Sequence, residues 1–128
     1  MPADSEFQYT ILRLVPSVAR GERINVGVIL FCRQLSFLEA RIGVDSRRLA
    51  ALTDQLQPEE VMTHLQALLE VAAGTGAGDI SRLPQTKRFG WLASPSSTSI
   101  QPSAVHTGLT SDPQGTLDHL FTTLVAPA

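Results

Sequence analysis

The stretch RINVGVILFC, from Arg23 to Cys32, limits most strongly what this chain can fold into. In an extended chain Ile24, Val26, Val28, Leu30 and Cys32 share one side. Asn25, Gly27, Ile29 and Phe31 share the other. Apolar residues on both sides predict a central strand covered on both faces for part of its length. Gly27 weakens a strand interior, so it predicts a bulge or a close backbone approach.

The neighbouring sequence extends this into an antiparallel sheet. FQYTILRLV (Phe7 to Val15) is rich in strand formers, with Phe7, Tyr9 and Ile11 on one face and Leu12 and Leu14 on the other. FLEARIGV alternates Leu38, Ala40, Ile42 and Val44 with wetter positions. The short connections favour a three-stranded meander. TSIQPSAV predicts a fourth strand. Pro102 cannot donate to a ladder, so that strand belongs at an edge or breaks at a bulge.

Helices follow the strands. Asp45 or Ser46 can cap a short helix, RRLAAL. PEEVMTHLQALLEVAA starts on Pro58, carries Glu59 and Glu60 at its positive end and stops at Gly74. Its inward stripe is Val61, Leu65, Leu68 and Ala72, broadened by Leu69. Asp112 and Pro113 open a C-terminal helix with Leu117, Leu120, Phe121 and Leu124 inward. Between Asp79 and Ser97 the chain reads as irregular. The expected class is α+β, one domain over 1–128, with two main helices and a short one packed on one sheet face. A chain of 128 residues has room for such a core without metal or disulfide.

Composition removes several functions. The formal charge of −2 supplies no general attraction for nucleic acid, and one Trp and one Tyr give little for bases to stack on. Cys32 is the single cysteine, which rules out an intrachain disulfide and fits a reducing compartment. No apolar run approaches the roughly 18 residues of a membrane helix. MPADSEFQYT lacks the pattern of a secretory signal, so a cytoplasmic location is expected. GTGAGD closes a helix where a phosphate-binding loop would open one, so it reads as cap and linker. His64, His106 and His119 lack metal-ligand spacing. No metal and no cofactor is expected.

The chemistry gathers elsewhere. Arg13 interrupts an apolar strand and needs a partner: a carboxylate such as Glu22 or Glu39, backbone carbonyls, or a bound anion. Arg20 and Arg23 flank the first hairpin turn, and Arg88 precedes Trp91. RFGWLASPSSTSIQPSAVHTG, from Arg88 to Gly108, holds the only tryptophan. Trp91 is either a loop anchor, with Phe89 and Leu92, or an exposed interface aromatic. A histidine side chain can exchange a proton near neutral pH, which makes His106 the best candidate acid or base; the alternative is a hydrogen bond to a turn. Gly108 would permit a tight turn after it.

Two stretches, YTILRLVPSVARGERINVGVILF and RFGWLASPSSTSIQPSAVHTGL, together resemble a bacterial family catalogued as domain of unknown function 3037. The resemblance highlights Tyr9, Arg13, Pro16, Arg20, Gly21, Glu22, Asn25, Gly27 and Phe31. In the second stretch it highlights Arg88, Phe89, Trp91, Pro95, Ser97, Thr98, Gln101, Pro102, His106, Thr107 and Gly108. Relatives are expected to carry a basic residue where this chain has Ser96, which weakens an anion site here. The resemblance implies little about activity; it suggests a HipA-like kinase as partner. The expected function is a non-catalytic protein-interaction domain, binding through the segment from Trp91 to Gly108 and the arginine-bearing hairpin. The alternative is an enzyme or binding protein for a phosphate- or carboxylate-bearing ligand. Arg13, Arg20 and Arg88 would hold the anion, and His106 would move a proton.

Overall fold

A computed structural model describes residues 4–95 and 98–126 of the chain. The strand-forming run SEFQYTILRL makes β1 (Ser5–Leu14), and every other part of the sheet is arranged around it. β2 (Ile24–Cys32) pairs antiparallel along one side of β1, and β3 (Phe37–Ile42) pairs with β2. β4 (Ile100–Pro102) and β5 (His106–Thr110) share the other side of β1, end to end. The meander and the α+β class are as expected, with β2 inside the sheet.

The helices are α1 (Ser46–Leu52), α2 (Pro58–Ala73), α3 (Gln85–Leu92) and α4 (Pro113–Leu124), with a 3-10 turn at Asp79–Arg82. Asp45 caps α1, its carboxylate accepting from the Arg47 and Arg48 amides. Asp112 caps α4 by accepting from the Gly115 amide. Gly74 ends α2 in the left-handed region at φ 76°, where a side chain would be strained.

The pairing of β1 with β2 shifts between Leu12 and Arg13: Leu12 faces Gly27, but Arg13 faces Asn25. Val26 is the extra residue of a bulge, which reverses the alternation of β2. Ile24 and Val26 therefore join the cluster of Leu12, Leu14, Ile29 and Phe31, instead of sharing a face with Val28, Leu30 and Cys32 as unbroken alternation predicts. Gly27 is also a close approach: a Cβ there would lie 3.1 Å from both the Arg41 carbonyl oxygen and Leu12 Cδ1.

The helices cover both sheet faces, not one. α1, α2 and α3 bury Leu49, Val61, Leu65, Ala72, Phe89 and Leu92 against the first cluster. α4 packs Leu117, with Leu120, Phe121 and Leu124, against Phe7, Val28, Leu30 and Cys32 on the opposite face. Arg41 of β3 pins α4 there, lying 4.6 Å from the centre of the Phe121 ring and 2.9 Å from the Asp118 carboxylate. The reason is the composition of β2: a strand apolar on both sides exposes one of them unless both are covered.

The expected fourth strand is two short ones. Pro102 has no amide hydrogen, and the ladder stops with it. Ser103 takes over: its amide donates to the Ile11 carbonyl at 2.8 Å and its Oγ accepts from the Ile11 amide at 2.9 Å. Thr10 Oγ1 donates to the Ser103 carbonyl at 2.9 Å. The backbone then rejoins β1 as β5. Gly108 lies inside β5 opposite Phe7, not in a turn. Its missing side chain is what lets the Phe7 ring lie across the strand, since a Cβ would fall 2.7 Å from that ring.

Candidate functional site

The region from Arg88 to Gly108 is more regular than its sequence suggests. Its first part completes α3, although Gly90 and the polar start of QTKRFGWL give little helical periodicity. Phe89 and Leu92, three residues apart, are the buried side, and Phe89 lies 5.3 Å from Phe31 between ring centres. Anchoring through those two residues turns Trp91 outward, where it is 46% exposed. Trp91 is thus the exposed aromatic of the two readings, and its neighbours are the anchors. Ser94 Oγ donates to the Gly90 carbonyl at 2.7 Å and closes the helix.

Trp91 stands at the edge of a groove of about 450 Å³ between α2, α3 and β4. Leu12, Leu68, Leu92 and Ile100 form its floor and walls, with Pro95 and Pro102. His64, half-buried on α2, and Ser94 supply polar edges. These residues come from four separate stretches of chain. His64 was readable as a surface or boundary position; its place beside Trp91 follows only from the packing of α2 on α3.

His106 lies on the other sheet face. It opens β5 opposite Tyr9, and the two rings stack at 5.1 Å between centres. Tyr9 in turn lies 6.1 Å from Phe7. His106 is exposed, and the aromatic contact stands where a turn hydrogen bond was the alternative to a reactive role.

The arginines are dispersed. Arg88 donates from NH1 to the Leu83 carbonyl at 2.6 Å and from NH2 to the Ala72 carbonyl at 3.4 Å. It thereby ties α3 to the C-terminal turn of α2. Arg20 is in the exposed β1–β2 connection, paired with Glu22. Arg13 stands on β1 between Asn25 of β2 and Gln101 of β4, on the His106 side of the sheet. Its Nε is shut off from solvent and has no hydrogen-bond partner. Neither Glu22 nor Glu39 pairs with it among the described residues. Burial, and then the charge of Arg23, holds the Arg13 guanidinium below its usual range.

Ser96 and Ser97, where the family resemblance raised a basic position and a hydroxyl, lie outside the described residues. Among the described residues no group of three His, Cys, Asp or Glu side chains could hold a metal ion. No helix among them is long and apolar enough to cross a membrane. Arg13, Arg20, Arg88 and His106 thus do not surround one pocket, and Trp91 and His106 serve opposite faces.

No curated protein and no solved structure matches the chain. Residues 9–125 match the model of the family described as protein of unknown function, DUF3037. The match takes in both faces of the sheet, the groove beside Trp91 and all four helices, and the chain belongs to that family.

Proposed function

We propose that this chain is a non-catalytic protein-interaction domain that receives an apolar segment of a partner protein in the groove beside Trp91. One observation carries the reading: the only tryptophan stands half-exposed at the mouth of a mainly apolar groove. An amphipathic ring already held by a rigid helix loses little freedom on binding, which is why Trp recurs where interfaces concentrate their energy. The dispersal of Arg20, Arg88 and His106 gives less support to a single catalytic site built from them. The family resemblance makes a HipA-like kinase the first partner to test.

Co-purification from the native host, followed by calorimetric titration of the partner, tests the reading. Truncating an interface tryptophan at a hot spot costs about 2 kcal/mol or more, roughly 30-fold in affinity. Trp91→Ala should weaken binding by that factor, while His106→Ala, on the opposite face, leaves it unchanged. A folded Trp91→Ala protein that binds its partner as tightly as the parent overturns the groove as the docking site.

A further inference from the structure

We propose that Arg13 and Arg23 form a binding site for a phosphate dianion on the sheet face opposite the Trp91 groove. The site is independent of the groove, so the two readings can fail separately.

Two guanidinium groups among the described residues have an Nε shut off from water without a partner, Arg13 and Arg88. Arg88 spends its remaining nitrogens on the carbonyls of Leu83 and Ala72, which accounts for its place in the fold. Arg13 makes no hydrogen bond or ion pair among the described residues. The helix end nearest it does not require it either. Asn25, its neighbour on β2, donates from Nδ2 to the Leu124 carbonyl at 3.0 Å, and Arg48 donates to the Val125 carbonyl at 3.4 Å. The last turn of α4 is thus served by other side chains.

A second cation stands nearby instead of a counterion. Arg23 lies two positions before Asn25, at the entry to β2, and its charge is felt at Arg13. Like charges held together disfavour each other, and a partly buried guanidinium without a partner disfavours the fold. The one carboxylate in that connection, Glu22, is committed to Arg20. An oxyanion between Arg13 and Arg23 would relieve both costs. Guanidinium groups present forked donors that match the oxygens of phosphate, and two positive charges match a dianion better than a singly charged carboxylate. Gln101 of β4 flanks Arg13 on the other side, its Nε2 donating to the Thr98 carbonyl at 3.2 Å, which holds its amide in place beside the site.

The test is an amide-shift titration of the full chain with inorganic phosphate, slightly above neutral pH where the dianion prevails, against sodium acetate and sodium chloride at matched ionic strength. Phosphate should give saturable shifts at Arg13, Arg23, Asn25 and Gln101. Loss of one charge-assisted contact corresponds to about tenfold or more in affinity. Arg23→Gln, at an exposed position, should weaken phosphate by that factor, and Arg13→Met should abolish saturation. Methyl phosphate in place of the free ion distinguishes an ester ligand, if tighter, from inorganic phosphate, if weaker. Shifts that never saturate, that fall outside these residues, or that saturate in Arg23→Gln at the same phosphate concentration as in the parent overturn the site. Acetate binding as tightly as phosphate overturns the assignment to a dianion.

Discussion

Ser103→Ala should destabilise the protein by about 2 kcal/mol, although it removes a single oxygen atom. The serine is 6% exposed and sits where β4 has ended and β5 has not begun. Its Oγ accepts the Ile11 amide hydrogen at 2.9 Å, in the middle of the strand that carries the sheet. Alanine would leave that buried amide without an acceptor, which costs about 1–3 kcal/mol. The same hydroxyl donates to the Ala104 carbonyl, but Ala104 is exposed and water can replace that bond, so it adds little. A loss of about 2 kcal/mol lowers the unfolding midpoint by roughly 6 °C in a domain of this size. Urea unfolding followed by circular dichroism measures it, with an unchanged denaturant slope as the sign of an unaltered unfolded state. Thr10→Val is the companion. It removes one donor to the Ser103 carbonyl and should cost about 1 kcal/mol. Because Thr10 Oγ1 also lies 3.3 Å from Ser103 Oγ, the double variant should lose less than the two singles together. A Ser103→Ala protein within about 0.5 kcal/mol of the parent would refute the claim that this hydroxyl stands in for the interrupted ladder.

Other substitutions test other contacts. Gly108→Ala should cost about 1–3 kcal/mol, because the added carbon falls on the Phe7 ring and the ring is held beneath α4; thermal unfolding checks it. Arg13→Met should leave stability unchanged or raise it by about 1 kcal/mol in phosphate-free buffer, since it removes a shut-off nitrogen without a partner while keeping an apolar stem. A clear loss of stability in that variant would reveal a stabilising partner for the guanidinium and contradict the geometry.

Much of the architecture was written locally in the chain. Alternation identifies β1, β2 and β3, and Pro58, Gly74, Asp45, Asp112 and Pro113 mark helix ends because capping needs only residues within a turn of one another. Gly27 marked both a bulge and a close approach. Its consequence for Ile24 and Val26 was hidden, because one extra residue reverses the facing of everything before it and the pattern of apolar residues reads the same either way. α3 was hidden for a different reason. Eight residues with a glycine inside have little helical preference of their own, and the helix rests on Phe89 against Phe31 and on Arg88 against α2. β5 likewise depends on β1, because the residues it pairs with lie far back along the chain. The candidate site divides in the same way. The residue types were legible: a lone tryptophan beside buried anchors, and an arginine inside an apolar strand. Their grouping was not. Trp91 meets Leu12 and Leu68 because α2 and α3 pack on one face, and Arg13 meets Asn25 and Gln101 because β2 and β4 flank β1. Local sequence sets what each segment can become, since periodicity and caps act over a few residues; which side chains become neighbours is decided by long-range packing, where no single segment carries the information.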